Sequence, residues 1–264
     1  MPNHPKTLVV VEGGWLEHGF FDRLKEVFGL NLDIYCLENN IYLLYKKIKK
    51  MGFNADLKDV LLEVHQTEEI RKLLSQDFAY TYLFFDFDPQ HTEEYEKDTP
   101  IEIIVENNIK KVCEMAEYFV NETDPTVGKL YINYPMMESF KDCDSFQDLG
   151  YLTHAIKLDD IGNYKKLVGL KKMANKRVDG YTKEDFTMLI RQNVNKLTKI
   201  CKVPDEPMDY EKYVCESNQN NILQREIEFV ELLKEIAVLN TSVFFVLDYY
   251  GNKEGFYDDV IGAK

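Results

Sequence analysis

Two aspartates lie one residue apart at the end of a strongly apolar run. Asp86 and Asp88 belong to the stretch LFFDFDPQ, residues 83–90. In a β-strand, residues i and i+2 point to the same side, so both carboxylates would lie together, and Pro89 would end the strand. Two carboxylates about 4 Å apart repel by about 4 kcal/mol at an effective dielectric near 20. Solvent, a bound proton, a basic partner or a metal ion has to offset this repulsion.

Two glutamates occupy comparable positions. Glu12 follows the β-branched run TLVVV, residues 7–11, and Glu138 follows the apolar run GKLYIN, residues 128–133. If these runs are neighbouring strands of a parallel sheet, their carboxyl ends meet at one edge. A Mg²⁺ ion suits such a place, because it takes oxygen ligands and needs only one or two carboxylates beside water and substrate phosphate. One or two such ions can polarise a phosphodiester and activate water for attack.

The elements that would position these residues alternate along the first half of the chain. Apolar runs typical of buried strands alternate with segments of helical periodicity, in the order β-α-β-α-(α)-β-α-β. The predicted strands are 7–13, 30–38, 79–89 and 128–135. This order predicts an α/β fold with a mostly parallel four-stranded sheet flanked by helices. Helical patterns dominate after residue 140, so we expect an α/β domain over 1–140 and a mainly helical extension packed on it over 141–264.

Charge and cysteine content restrict the class of protein. The net charge is −14, which argues against a passive nucleic-acid coat protein. The most basic segment of the sequence could hold the phosphate backbone of a nucleic acid near a metal ion. Alternatively, its basic side chains lie on a helical face that is only exposed to solvent. Its candidate contacts are Lys165, Lys166, Lys171, Lys172, Lys176 and Arg177. Five scattered cysteines without a CxxC pair, no apolar run near 18 residues and no signal-peptide pattern predict a cytoplasmic protein that does not enter a membrane.

The motifs VVVEGG and FFDFDP together resemble the TOPRIM (topoisomerase–primase) domain, in which a glutamate follows the first strand and a DxD pair follows a later one. The stretch INYPMMESF is similar to the NPxxE stretch of phage-defence TOPRIM nucleases, which often act beside an ABC-type ATPase. Here Tyr134 separates the asparagine from the proline. The resemblance covers residues 7 to about 140. It implies that Glu12 is a metal ligand or general acid/base, that Asp86 and Asp88 bind Mg²⁺ or Mn²⁺, and that Glu138 is a supporting acid.

The resemblance implies a Mg²⁺-dependent nuclease that cleaves DNA or RNA, including tRNA, as an antiviral defence or toxin effector. An ABC-type ATPase partner and self-association belong to the same expectation. One alternative is a haloacid-dehalogenase-like phosphatase, with Asp86 as nucleophile and Asp88 as general acid; that family places its motif on the first strand. A second alternative is a degenerate, non-catalytic TOPRIM module that binds a partner through its acidic surface and the amphipathic helix predicted over 219–239.

Two further residues near these motifs have unremarkable interpretations. Glu17 follows Glu12 by about one helical turn and is expected to face solvent. His91 follows the DxD pair by three residues and is expected to be a solvated loop histidine, although it could reach the site.

Overall fold

The computed structural model describes residues 5–203 and 208–262. It divides into two units, Met1–Tyr131 and Ile132–Lys264, so the boundary falls nine residues before the predicted one at 140. Within the described residues, no helix is both long enough and apolar enough to span a bilayer.

The described residues form a mostly parallel sheet of five strands, one more than the four predicted. The strands are β1 (Thr7–Val11), β2 (Leu32–Cys36), β3 (Tyr80–Asp86), β4 (Val120–Asn121) and β5 (Gly128–Asn133). Their order across the sheet is β2-β1-β3-β5-β4. β1 runs parallel to both β2 and β3, and β4 is antiparallel to β5. The extra strand is β4, whose two residues are too few to show a periodicity in the sequence.

The central strands are buried on both faces. All five residues of β1 are buried, which fits the continuous β-branched run that predicted a parallel interior strand. Gly128 begins β5 where it passes close to β3, with φ +89°. A Cβ atom there would lie 2.8 Å from Leu83 Cδ1 and 3.1 Å from the carbonyl oxygen of Thr81, so a glycine is needed for this approach.

Five helices complete the first unit, and their ends follow the capping residues of the sequence. They are α1 (Leu16–Phe28), α2 (Ile41–Met51), α3 (Leu57–Val64), α4 (Glu68–Leu74) and α5 (Ile101–Tyr118). Gly29 ends α1 in the left-handed conformation at φ 70°. The Asn40 side chain caps α2 by accepting a hydrogen bond from the Leu43 N–H.

The second unit is mainly helical and also contains a strand pair. Its helices are α6 (Tyr164–Val168), α7 (Lys183–Ile200), α8 (Tyr210–Glu216), α9 (Gln219–Leu233), α10 (Phe244–Tyr250) and α11 (Phe256–Ile261). The strands β6 (Ala155–Lys157) and β7 (Glu235–Ala237) pair antiparallel. The sequence predicted that the helix of α9 continues to residue 239, but Lys234 adopts a left-handed conformation and the β-branched stretch after it extends.

Candidate active site

Glu12 and Asp86, 74 residues apart in sequence, meet at the carboxyl ends of β1 and β3. The strands pair in register up to Val11 and Phe84, and the Glu12 N–H then donates to the Phe84 carbonyl at 3.1 Å. The next N–H on β3 that faces β1 belongs to Asp86. If β1 continued, a main-chain carbonyl would accept this N–H. Here the Glu12 side chain accepts it instead, through Oε2 at 3.1 Å. The carboxylate of Glu12 is therefore held beside the first aspartate of the DxD pair.

Asp88 lies just beyond the end of β3, which finishes at Asp86. The side chains nevertheless continue to alternate between the two faces past the end of the strand, because Asp86 and Asp88 are half-buried while Phe87 between them is completely buried. The His91 N–H donates to the Asp88 carbonyl at 3.1 Å, which closes a β-turn with Pro89 at its second position. The second aspartate therefore stands at the first position of a tight turn.

Tyr42 on α2 links the two acidic positions. Its hydroxyl donates to the Asp88 carbonyl at 2.7 Å, and its ring is 1% exposed. Burial raises the pKa of this phenol well above its ordinary value, and the charges of Asp88 and then Glu12 raise it further. Both carboxylates therefore act electrostatically on the same buried phenol.

His91 is held in place, contrary to the expectation of a solvated loop side chain. Only 13% of its side chain is exposed, and its ring stacks on Tyr42 with centroids 5.2 Å apart and an interplanar angle of 9°. Its Nε2 lies 3.3 Å from Asn40 Nδ2. The Asn40 amide oxygen accepts the Leu43 N–H, which leaves its Nδ2 facing the ring. The same Nε2 lies 3.6 Å from Glu93 Oε2.

Asn108 fixes the loop from the side of α5. It is completely buried and donates through Nδ2 to the carbonyls of Pro89, at 3.0 Å, and His91, at 2.9 Å. Its Oδ1 accepts the hydroxyl of Tyr95 at 2.7 Å. Sequence reasoning did not identify this residue. A signal was present, because Asn108 interrupts the apolar face of α5 between Ile104 and Val112.

Further carboxylates surround the loops that follow β1 and β2. A Cβ atom on Gly13 would meet the Glu17 carboxylate at 2.7 Å, so Glu17 folds back over the loop after Glu12 instead of only facing solvent. Burial raises the pKa of the Cys36 thiol to about 11, and the charges of Glu17, Glu38 and Asp22 contribute. The sheet edge is therefore strongly acidic.

The fit of this site to a divalent cation rests on few ligands. Among the described residues, no group of three or more histidine, cysteine or acidic side chains is arranged to hold a metal ion, and this includes the predicted ligands Glu12, Asp86 and Asp88. A Mg²⁺ ion does not need one, since it takes one or two carboxylates with water and phosphate oxygens. The Glu12 carboxylate lies against the main chain of Asp86, and an ionised carboxylate has acceptor positions beyond one hydrogen bond. A divalent cation at this edge would therefore take most of its ligands from water and substrate.

Glu138 lies in the second unit, in a 3₁₀ helix formed by Met137–Lys141. Its carboxylate accepts a hydrogen bond from Lys165 Nζ at 2.9 Å. The motif around it is tied internally, because Asn133 Oδ1 accepts both the N–H and the hydroxyl of Ser242, at 3.2 and 2.9 Å. In this unit, Glu138 and Asn133 therefore have structural partners of their own.

Most of the predicted basic contacts are likewise paired with acids. Besides Lys165, three of them form ion pairs: Lys171 with Asp142 at 3.7 Å, Lys176 with Asp185 at 2.5 Å, and Arg177 with Asp179 at 2.8 Å. Lys166 and Lys172 are exposed. Exposed ion pairs contribute roughly 0–1 kcal/mol each to stability, but they neutralise the charge that a phosphate backbone would use.

The chain matches no protein-family model, and it has no significant match among curated proteins or solved structures.

Proposed function

We propose that the chain is a Mg²⁺-dependent phosphodiesterase that cleaves nucleic acid, with its site at Glu12, Asp86 and Asp88. The observation that carries this proposal is the Glu12–Asp86 contact. The Glu12 carboxylate accepts the main-chain N–H of Asp86, a residue from a distant part of the chain, at the carboxyl edge of a mostly parallel sheet, where α/β proteins bind ligands. Holding like charges together costs free energy, which a divalent cation would offset.

The residues would divide the chemistry between them. A bound Mg²⁺ would polarise the phosphodiester and lower the pKa of a water molecule. Glu12 and Asp86 would hold the cation, and Glu12, which already accepts an N–H through Oε2, would also be placed to accept a proton from the attacking water. The Tyr42 hydroxyl and the turn hold the main chain of Asp88 in place, so its side chain would join the site from a fixed backbone position.

The test is a cleavage assay with matched variants. Purified wild type and the variants Glu12→Gln, Asp86→Asn and Asp88→Asn are incubated with labelled DNA and RNA in Mg²⁺, in Mn²⁺ and in EDTA. We expect metal-dependent cleavage by the wild type and a loss of at least about 100-fold in each variant. Glu102→Gln, on the exposed first turn of α5, is the control and is expected to cleave normally. Equal cleavage by wild type and Asp86→Asn would refute the proposed site.

One observation also suits the non-catalytic module. The Glu12 carboxylate completes the β1–β3 hydrogen-bond ladder, a structural task that needs no metal. In that case Mg²⁺ would leave the melting temperature unchanged, whereas a cation that binds only the folded state must raise it. Phosphate release from a small phosphomonoester, lost in Asp86→Asn, would instead indicate the phosphatase alternative.

The biological setting remains a prediction from the motif resemblance. An antiviral or toxin role, an ABC-type ATPase partner, self-association and a cytoplasmic location all rest on the sequence. Co-purification of the tagged chain with an ATPase, followed by a cleavage assay with and without ATP, tests the partner directly.

A further inference from the structure

The tryptophan side chain of this protein contributes almost no buried surface to the core. Trp15 is the single tryptophan in the sequence, and it is 91% exposed. A tryptophan side chain that buries its full surface contributes several kcal/mol to stability, and Trp15 forgoes nearly all of it. Its main chain is nevertheless ordered, since its carbonyl accepts the Gly19 N–H at 3.2 Å in the first turn of α1.

Trp15 belongs to the same loop as the candidate site. It follows Glu12 by three residues, so their Cα atoms are at most about 11 Å apart. This separation is comparable with one or two nucleotides of an extended strand. A phosphate held near Glu12 and Asp86 would bring a neighbouring base within reach of the indole.

Electrostatics offers little affinity for a nucleic acid at this edge. The carboxylates of Glu12, Glu17 and Glu38 surround the loop. The four lysines of α2 lie in the second half of the helix. Because a helix that follows a parallel strand runs back toward the opposite edge of the sheet, these lysines lie away from the site edge. Lys111, whose Nζ lies 5.6 Å from the centre of the Tyr42 ring, is paired with Glu94 at 2.8 Å.

We infer that the substrate is single-stranded, and that a nucleobase next to the scissile phosphate stacks on the exposed indole of Trp15. This inference rests on the proposed phosphodiesterase function. Stacking on an aromatic ring requires no positive charge and tolerates any base. A base inside a duplex is not available for it, whereas an unpaired base is. Affinity then comes from stacking and from the cation that bridges phosphate and carboxylates, and it depends weakly on salt.

The single tryptophan makes this contact directly observable. Wild-type protein is titrated in Mg²⁺ with a single-stranded oligonucleotide carrying cleavage-resistant phosphorothioate linkages, with the same sequence as a duplex, and with an abasic sugar-phosphate strand. We expect quenching of Trp15 fluorescence by the first ligand only. Anisotropy of a labelled strand then measures affinity, which Trp15→Ala should weaken roughly 5- to 150-fold. Trp15→Tyr should retain most of it, and Leu170→Ala, at another exposed apolar side chain, should retain all of it.

The outcomes separate this inference from the function on which it rests. If the wild type cleaves in a metal-dependent manner but Trp15→Ala binds and cleaves single strands as well as the wild type, the stacking site is refuted and the phosphodiesterase remains. Equal cleavage of duplex and single strand also refutes the stacking site. So does an affinity that falls with rising salt concentration as steeply as expected for five or more phosphate contacts. Absence of any metal-dependent cleavage refutes the proposed function itself. Fluorescence quenching by a protein partner, with none by nucleic acid, would assign the indole to protein recognition and overturn the inference.

Discussion

In the absence of metal, replacing Glu12 by glutamine should make the protein more stable. Glu12 Oε2 lies 3.1 Å from the Asp86 amide nitrogen, and a carboxylate oxygen lies at most about 5 Å from the nitrogen of its own residue. The two carboxylates are therefore within about 8 Å, where they repel by about 2 kcal/mol at an effective dielectric of 20. Glutamine keeps an acceptor for the Asp86 N–H and loses only its charge assistance, worth about 1 kcal/mol. The net gain is on the order of 1 kcal/mol.

Urea unfolding in EDTA measures this difference. Glu12→Gln should unfold at a higher urea concentration than the wild type with an unchanged m-value, and the difference should shrink in 1 M salt, which screens half-buried charges in part. Glu102→Gln, at an exposed position, should change the free energy of unfolding by less than about 0.5 kcal/mol. In Mg²⁺ the order should reverse, because the wild type binds the cation more tightly. A variant that is less stable than the wild type by 1 kcal/mol or more in EDTA would contradict the reasoning and leave Glu12 with a structural role only.

Three further predictions concern the supports of the fold. Asn108→Ala leaves two carbonyls of the Asp88 turn without their donors, so urea unfolding should show a loss of roughly 2–5 kcal/mol, against little change for the half-buried neighbour Asn107→Ala. Gly128→Ala places a Cβ atom against β3 at positive φ and should cost roughly 2–5 kcal/mol in the same measurement. Burial raises the pKa of Glu226 to about 8, so the folded protein holds a proton that the unfolded chain has released above its ordinary pKa near 4.5, and stability falls as the pH rises between these values. The stability of Glu226→Gln relative to wild type should therefore grow from pH 5 to pH 7.5, and a constant difference in urea unfolding would contradict this assignment.

Sequence patterns predicted the parts of the fold that depend on local periodicity. The strands β1, β2, β3 and β5 follow from their apolar runs, and the meeting of Glu12 with Asp86 follows from parallel neighbours ending at one edge. Short elements could not be predicted, because β4 has two residues and β6 and β7 have three each. Their strand conformation is decided by the partner strand and not by their own sequence.

The supports of the site were predictable to different degrees. Asn108 was visible in principle as a polar residue on the core face of α5. The stacking of His91 on Tyr42 was not, because it depends on how the loop after β3 returns over α2, and loop paths are set by tertiary contacts. The ion pairs of Lys171 and Lys176 also join residues from different elements, so a window of basic residues overestimates the available charge.

The central claim is that Glu12 and Asp86 serve one divalent cation, and Mn²⁺ binding by the full chain tests it most directly. Calorimetric titration should give about one site in the wild type and at least about 10-fold weaker binding in Glu12→Gln and in Asp86→Asn. The double variant should bind little more weakly than either single variant, since both substitutions remove the same ion. Wild-type affinity in both single variants, or no binding of Mn²⁺ by the wild type, would contradict the account.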